Sequence, residues 1–453
     1  MTSTFRALLG ATALCATAGL ALAESHASTI TIATVNNGDM IRMQGLTAEF
    51  NALHPEITLE WVVLEENVLR QNVTTDIATR GGQYDVMTIG TYEVPIWGAQ
   101  GWLASLNDLP AEWDIDDILP AIRGGLTIDG ELYAAPFYGE SSMVMYRTDL
   151  MEAAGLEMPD APTWEFIRTA AEAMTDSDND NDNDNDNDND NDNEIYGICL
   201  RGKAGWGENG AFLTAMSNSF GARWFDENWQ PQFDSPQWAA TLDFYLDLMT
   251  NFGPPGASNN GFNENLTLFQ QGKCGMWIDA TVAASFVTGA DSTVADSVGF
   301  ALAPDNGLGK RGNWLWAWSL AIPETSDSID AAKIFVAWAT SKEYTALVAA
   351  NEGWANVPPG TRTSLYANPE YQAVPFAQMT LDSINSADPT NPTVDPVPYV
   401  GVQFVAIPEF QGIGTAVGQE FSAALAGQKT AAEALAAAQE LTLQEMTNAG
   451  YIQ

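Results

Sequence analysis

Residues 28–90 read STITIATVNNGDMIRMQGLTAEFNALHPEITLEWVVLEENVLRQNVTTDIATRGGQYDVMTIG, and two hydrophobic periodicities alternate along them. The segments TITIATV, ITLEWVVL and YDVMTIG are short, rich in β-branched residues and bounded by turn residues, which is typical of strands. Between them lie two helical segments: one has an apolar stripe at helical spacing (Met43, Leu46, Phe50 and Leu53), and the other, VLRQNVTTDIAT, runs to a pair of glycines. The order strand, helix, strand, helix, strand predicts a parallel, doubly wound α/β sheet.

The turns that follow these three strands are the first candidates for a binding site. Ligands of doubly wound sheets bind in the crevice at the carboxyl ends of the strands. The turns NNGDM, EEN and TYEVP occupy those ends, so we expect ligand contacts from Asn36, Asn37, Asp39, Glu66 and Tyr92. Structural roles are the alternative, because Asn-Asn-Gly is a common turn and Asp39 could cap the following helix.

Residues 1–23 have the features of a secretory signal peptide. One arginine precedes an apolar run from Ala7 to Ala23 that ends in Ala-Leu-Ala, which predicts cleavage after Ala23. A membrane anchor is one alternative, although the run is short and rich in alanine, and no later segment approaches about 18 uninterrupted apolar residues. Lipoprotein processing at Cys15 is another, although Thr12 stands where leucine would be expected. We therefore expect an exported, periplasmic protein that is long enough for two domains.

The chain is strongly acidic, with a formal net charge of −42. Removing the nine aspartates of residues 176–193 changes this only from −42 to −33, so the acidity is spread along the whole sequence. Such a molecule is a poor partner for nucleic acid or an anionic membrane surface, and we expect the charge to serve solvation.

Residues 176–193 read DSDNDNDNDNDNDNDNDN, a low-complexity tract. With Glu194 as the last ligand of an EF-hand loop, the position that requires glycine is Asp188, so the calcium motif fails. The tract has no apolar residues to fold it, and we expect a mobile acidic loop. Weak, non-specific association with Ca²⁺ remains an alternative.

The cysteines and histidines restrict the chemistry further. Cys199 and Cys274 remain after cleavage, and in an oxidising compartment a disulfide is favoured over a metal site. The histidines are His26 and His54, and the motifs HExxH and GxSxG are absent. Neither a metal centre, nor a cofactor, nor a catalytic triad is predicted.

Several blocks carry a resemblance to a known family. The N-terminal βαβαβ unit, the segment LYAAPFYGESSMVMYRTDLMEAAGL, the helix begun by Thr-Trp and the alanine-rich C-terminal helix resemble the extracellular family 1 solute-binding proteins of ABC transporters. The blocks YGICLRGKAGWGEN, GFNENLTLFQQGKC, GMWIDATVAA and GNWLWAWSLAIP are similar to the sorbitol/mannitol (polyol) binding subgroup.

The resemblance implies a two-lobed periplasmic-binding-protein fold of type II, in which each lobe is a mostly parallel sheet flanked by helices. It assigns residues 28–135 and 298–341 to the N-terminal lobe, and residues 136–297 and 342–453 to the C-terminal lobe, which includes the tract 176–193. Ligand would lie in the cleft between the lobes, which closes about a hinge.

A polyol needs hydrogen-bonding groups for its hydroxyls and aromatic rings for its carbon chain. Further candidates follow from loop position and from the resemblance: Tyr138, Glu140, Arg201, Lys203, Trp206, Glu208, Asn209, Asp279, Trp316, Trp354 and Gln411. Arg201 could instead brace its loop through a salt bridge, and Asp279 could be a helix cap rather than a bidentate acceptor for two hydroxyls. Trp314, Trp316 and Trp318 alternate and so share one face of a strand, and of these we expect Trp316 to reach the cleft.

The resemblance also implies the partners: a small neutral polyol or sugar and an inner-membrane ABC permease, with no nucleic acid, the protein itself being a monomer. Binding of a mono- or disaccharide is the alternative within this class. An exported glycan-acting enzyme is the rival from another class, with Glu140 and Asp279 opposed across the cleft as its acid pair.

Overall fold

The structure is a computed structural model that describes residues 27–175 and 194–452. The predicted signal peptide (residues 1–23) and the Asp-Asn tract (residues 176–193) lie outside the described residues.

Eleven strands and eighteen α-helices are found in the described ranges. The strands are β1 Ser28–Val35, β2 Ile57–Leu64, β3 Val86–Ile89, β4 Thr127–Ile128, β5 Glu131–Leu132, β6 Ala134–Glu140, β7 Ser142–Arg147, β8 Tyr196–Cys199, β9 Cys274–Ala280, β10 Val298–Leu302 and β11 Trp316–Ala321. The helices of the first half are α1 Gly38–Gly45, α2 Thr47–Leu53, α3 Glu66–Thr79, α4 Glu93–Ala99, α5 Pro120–Leu126, α6 Thr148–Ala153, α7 Trp164–Met174, α8 Asn209–Ser219 and α9 Pro236–Phe252. Those of the second half are α10 Phe262–Gln270, α11 Ala284–Val287, α12 Ile329–Ala339, α13 Lys342–Glu352, α14 Thr363–Ala367, α15 Pro369–Gln372, α16 Ala377–Ser386, α17 Phe410–Leu425 and α18 Ala431–Asn448.

The first sheet has the strand order β2-β1-β3-β11-β6. The strands β1, β2 and β3 are parallel, as the alternating periodicities predicted, whereas β11 runs antiparallel to both of its neighbours, β3 and β6. The carboxyl ends of the three parallel strands therefore meet at one edge, and the turns after them lie side by side.

The second sheet has the order β10-β7-β9-β8. Only β8 and β9 are parallel, and the other two pairs are antiparallel, so this sheet is mixed. A disulfide joins Cys199, at the end of β8, to Cys274, at the start of β9, with 5.9 Å between the Cα atoms. The α/β architecture of two helix-flanked sheets is confirmed, with more antiparallel pairing than the sequence suggested.

Sheet membership differs from the expected lobe boundaries at two points. The boundary after Ala135 falls inside β6, which stays in the first sheet to Glu140, so the chain crosses to the second sheet at Ser141. The strand that begins at Val298 pairs with β7 of the second sheet, not with the first. The apolar run AAPFYGE has no local break, and only strand pairing reveals where the crossing lies. The division of the whole chain into two lobes stays a prediction.

Helix termini follow their sequence signals closely. The side chains of Thr163, Ser235 and Thr430 cap α7, α9 and α18, and Thr430 forms a capping box with Glu433. The predicted first helix is instead two short helices that meet at Leu46, and Leu53, placed in its apolar stripe, is 65% exposed.

A close approach at the edge of the first sheet leads to a prediction. Gly90 follows β3, and a Cβ on it would lie 1.9 Å from the ring of Trp316, at the start of β11. The Trp316 ring is buried and packs on other aromatic rings, so it cannot easily move aside. We therefore expect Gly90→Ala to lower the free energy of unfolding by about 1–3 kcal/mol, the usual cost of overpacking. Urea denaturation monitored by tryptophan fluorescence measures this change.

Gly45→Ala is the matched control, because no atom would lie within 4 Å of the added methyl at the end of α1. It should leave the urea midpoint unchanged or raise it slightly. Equal midpoints for the two variants would show that β3 and β11 are not packed as described.

Candidate functional site

A cavity opens where the edges of the two sheets face each other. Its hydrogen-bonding side chains are those of Asn37, Glu66, Arg70, Glu140, Arg201 and Gln403. Its large aromatic side chains are those of Trp206, Phe262, Trp314, Trp316 and Trp318. The empty space is about 470 Å³ including the mouth. A cavity of this size suits a small ligand better than a bulky one.

Arg70 forms the charged wall on the side of the first sheet. It lies one turn after Glu66 on α3, and its Nε and Nη2 donate to Glu66 Oε1 at 3.1 and 2.9 Å. Its Nη1 donates to Glu93 Oε1 at 2.9 Å, and the other oxygen of Glu93 accepts from the backbone N–H of Gly90. The guanidinium is buried and fixed, as a bidentate or stacked arginine requires.

Indole rings surround the same guanidinium. The Cζ atom of Arg70 lies 4.0 Å from the ring centre of Trp206, 4.7 Å from that of Trp318 and 4.9 Å from that of Trp316. Cation–π attraction therefore adds to the ion pairs in holding Arg70 between the aromatic residues. The sequence reading missed Arg70, although it stands four residues after a predicted site residue on the same helix.

Arg201 forms the charged wall on the side of the second sheet. Its Nε and Nη2 donate to the two carboxylate oxygens of Asp279 at 2.9 and 2.7 Å. Its Nη1 donates to Gly207 O at 3.0 Å and to Glu208 at 3.3 Å. Arg201 thus does both things considered from the sequence: it lines the cavity and braces its own loop.

Asp279 lies beneath Arg201 at the end of β9. Its carboxylate is fully buried beneath Arg201 and does not line the cavity. One oxygen also accepts from the indole of Trp277 at 3.2 Å. The bidentate partner of Asp279 in this structure is the guanidinium of Arg201, which Asp279 orients. Its contact with ligand hydroxyls stays a prediction.

Glu140 is a buried carboxyl group at the end of β6 that faces the cavity. Burial raises its pKa to about 8; Arg201 opposes this rise, while Asp279 and Glu66 add to it. At neutral pH the group is therefore mostly a neutral acid that can donate one hydrogen bond as well as accept.

The aromatic wall is larger than the sequence suggested. Trp314, Trp316 and Trp318 all line the cavity, because alternate residues of an extended chain share one face. Trp206, from the loop after β8, packs on Trp316 with ring centres 5.9 Å apart. The indole N–H groups of Trp206 and Trp316 are buried, and no hydrogen-bond acceptor for them is found among the described residues. Buried donors of this kind are normally satisfied, so both suit a ligand that brings an acceptor.

Two predicted residues lie behind the cavity and support it. The hydroxyl of Tyr138 accepts a hydrogen bond from Asn37 Nδ2 at 2.8 Å, which orients that amide at the cavity wall. Tyr92 packs on Trp206 with ring centres 4.7 Å apart and donates to Ile407 O at 3.0 Å. Neither tyrosine lines the cavity, and their contact with a ligand stays a prediction.

Other predicted residues join the two sides of the cleft around its rim. Lys203 Nζ lies 2.6 Å from Glu65 Oε1, at the start of α3, and 3.7 Å from Glu208 Oε1. Thr74 donates to Gln411 Oε1 at 3.0 Å, and Asn263 donates to Asn36 Oδ1 at 3.4 Å. We call these the rim contacts, together with the hydrogen bond of 3.2 Å from Asn67 Nδ2 to Ala204 O. The rim contacts join the two sides of the cleft, and their residues do not line the cavity.

The remaining predicted residues have local structural roles. Asn209 donates to Gly418 O at 2.8 Å and accepts from Gly205 N, so it braces the loop of Trp206. Asp39 is buried against Arg42 in the first turn of α1. Trp354 is half-buried in a 3₁₀ turn. None of these three lines the cavity, and ligand contact by them stays a prediction.

Gln403 is a cavity residue that no sequence signal identifies. Its side-chain amide donates to Leu315 O at 2.8 Å and accepts from Leu315 N at 3.3 Å, so it pairs with the tryptophan segment as a neighbouring strand would. Folding alone brings these two distant segments together. Phe262 and Gly207 were also missed as cavity residues.

Two other kinds of site were sought in residues 27–175 and 194–452. No cluster of three or more His, Cys, Asp or Glu side chains suited to a metal ion occurs in these ranges. Within the same ranges, no helix combines the length and apolar character that crossing a membrane requires.

The buried carboxyls predict a pH dependence of stability. Burial raises the pKa of Asp39 to about 6, of Glu208 to about 7 and of Glu140 to about 8. A raised pKa means that the folded state holds protons that the unfolded state has lost, so stability falls as pH rises between the unfolded value and the folded one. We expect unfolding free energy to fall from pH 5 to pH 8, and Glu140→Gln to reduce this fall by the order of a few kcal/mol.

Urea denaturation at pH 5, 6.5 and 8 measures this effect. Glu60→Gln, at an exposed position on β2, is the control and should retain the pH dependence of the natural protein. If Glu140→Gln and Glu60→Gln depend on pH alike, the burial of Glu140 has no such effect.

The known proteins that this chain resembles are solute-binding proteins. A family model described as bacterial extracellular solute-binding protein matches residues 37–346. The mannitol-binding protein of Pseudomonas aeruginosa is 54% identical over 452 residues, which cover 100% of each chain. An ABC-transporter solute-binding protein from Agrobacterium vitis S4, solved with bound D-mannitol, is 70% identical with a TM-score of 0.90, covering 94% of this chain and 100% of that one. A homologous protein from Agrobacterium radiobacter K84, solved in complex with ribitol, is 25% identical with a TM-score of 0.78, covering 92% and 98% of the two chains. This chain therefore belongs to the bacterial extracellular solute-binding proteins, the family inferred from its sequence blocks.

Proposed function

We propose that this protein captures a linear sugar alcohol of hexitol type, such as mannitol, for an inner-membrane ABC permease. The observation that carries the proposal is the lining of the cavity, in which fixed arginines, carboxyls and unpartnered indole N–H groups face an aromatic wall. The relatives named for or solved with mannitol and ribitol support the same class of ligand.

The lining groups complement the two properties of a polyol. Each hydroxyl both donates and accepts, and here Arg70, Arg201 and the indole N–H groups are donors while Glu66 is an acceptor. Glu140, as a neutral acid, can both donate a hydrogen bond to a ligand hydroxyl and accept one from it. The tryptophan rings cover the C–H surface of the carbon chain, as aromatic residues do in sugar sites.

Capture follows from closure of the cleft around the ligand. A polyol that touches both sides favours the closed form by its differential affinity, and no chemical step is needed. The same proposal includes export with cleavage after Ala23, residence in the periplasm and a monomeric state. The permease would recognise the closed, loaded form.

A thermal-shift screen tests the ligand class. We expect mannitol, sorbitol or arabitol to raise the melting temperature, with a stabilisation of about 2.7 kcal/mol at a hundred times the dissociation constant. Ribitol, xylitol, glucose and maltose complete the panel, and calorimetry should give one site per chain. If a mono- or disaccharide shifts the transition and no polyol does, the polyol proposal fails.

The same mixtures of protein and ligand test the alternative that the protein is an exported enzyme acting on glycans. In the structure Glu140 and Asp279 do not oppose each other across an open cavity, because Asp279 is covered by Arg201. We therefore expect polyols and oligosaccharides to be recovered unchanged by chromatography after incubation. Turnover of any of them would contradict this expectation.

Arg70 provides a test of the site itself. Lysine at this position keeps the charge but not the planar fork that reaches Glu66 and Glu93 together, so we expect Arg70→Lys to weaken mannitol binding at least about tenfold. Arg123→Lys is the matched control, since Arg123 forms an exposed ion pair with Asp116 and neither residue lines the cavity. Calorimetric affinities of both variants within twofold of each other would exclude Arg70 from the site.

A further inference from the structure

The cleft contains a second space beside the polyol cavity, and Trp206 lies between the two. We call this space the vestibule; it has about 1350 Å³ of empty volume including its opening. One wall is α3, with Asn67, Gln71 and Thr74, and the other is α17, with Gln411 and Thr415. Arg70 and Trp206 line both the cavity and the vestibule.

The ring of Trp206 is held in a fixed position between these two spaces. Its ring packs on Tyr92, Trp316 and Phe410, at centre distances of 4.7, 5.9 and 6.1 Å, and only 3% of the residue is exposed. Gly414 on α17 allows this fit, because a Cβ there would lie 2.9 Å from the Cβ of Trp206. A ring held from so many sides does not swing aside to let a ligand pass.

The vestibule has the chemistry of a site for sugar hydroxyls. The side chains of Asn67, Gln71, Thr74, Gln411 and Thr415 are neutral and offer both donors and acceptors. A hydrogen bond of 3.0 Å from Thr74 Oγ1 to Gln411 Oε1 already joins the two walls, which shows that small polar groups meet across the space. A large apolar ligand would leave these groups unsatisfied.

We propose that Trp206 sets the upper limit of ligand length, by separating the polyol cavity from a vestibule that would otherwise take a glycosyl group. Without the indole, the two spaces join, and a hexitol carrying a terminal glycosyl substituent fits with its hexitol in the cavity and its sugar ring in the vestibule. This inference rests on the proposed function. It also requires Arg70 to stay in place when the indole of Trp206 is removed. The ion pairs of Arg70 with Glu66 and Glu93 do not involve Trp206.

Calorimetry with two ligands tests the partition: mannitol, and mannitol carrying an α-glucosyl group on a terminal oxygen. The natural protein should bind mannitol and bind glucosyl-mannitol at least about a hundredfold more weakly. Trp206→Ala should lose affinity for mannitol, because it loses a wall of the cavity, and should bind glucosyl-mannitol at least about tenfold more tightly than the natural protein does.

Trp314→Ala is the matched control, since Trp314 lines the cavity but not the vestibule. It should weaken mannitol binding without any gain for glucosyl-mannitol, and Trp206→Phe, which keeps a ring in the partition, should also show no gain. If Trp206→Ala does not fold, Trp206→Leu, which keeps aliphatic contact with Phe410, is measured by the same criterion.

Two results would overturn the inference. One is a gain for glucosyl-mannitol in the Trp206 variant no larger than in Trp314→Ala. The other is a natural protein that binds glucosyl-mannitol as tightly as mannitol. A natural protein that binds no polyol contradicts the proposed function instead, so the two failures are distinguishable.

Discussion

The ion pair between Arg201 and Asp279 holds one whole side of the cleft in place. In the parallel register of β8 and β9, Cys199 is opposite Trp277, so Arg201 comes opposite Asp279 just where β8 ends. Beyond the last backbone pairing of β8 with β9, this ion pair keeps the two segments side by side. Its guanidinium then holds Gly207 O and Glu208, and through that loop it positions Trp206 and the rim. Removing one partner would leave a buried charge uncompensated, which typically costs about 3–5 kcal/mol.

Both guanidinium groups at the cavity are paired with carboxylates. Arg70 is paired with Glu66 and Glu93, Arg201 with Asp279 and Glu208, and burial favours a neutral Glu140. The arginines therefore face the cavity as directed hydrogen-bond donors whose charge is already paired. Such a surface suits an uncharged ligand, because a charged one would need a counter-charge that the lining has already used.

The sequence predicted what depends on local pattern and missed what depends on long-range register. Asn37 and Glu66 line the cavity because parallel strands bring their carboxyl ends to one edge, and Arg201 and Trp206 line it because a glycine-rich loop follows β8. Contact of these four residues with a ligand stays a prediction. The pairing of Asp279 with Arg201 was not predictable, because it is set by the register of β8 against β9, which no single segment records. Gln403 carried no signal at all, because its role exists only once its segment lies beside Leu315. The points where the chain passes between sheets were missed for the same reason.

The glycines of the loop after β8 have a consequence for the closed state. A Cβ on Gly205 would lie 2.5 Å from the side chain of Asn67, and one on Gly207 would lie 2.4 Å from Glu66, so bare backbone lets α3 approach. What then joins the two sides at this rim is polar: Lys203 with Glu65, and Asn67 with Ala204. Partly exposed polar contacts of this kind contribute little net free energy in water. The contacts at this rim therefore hold the cleft closed only weakly. A bound ligand that touches both sides would keep the cleft closed, and the cleft would open again once the ligand has left.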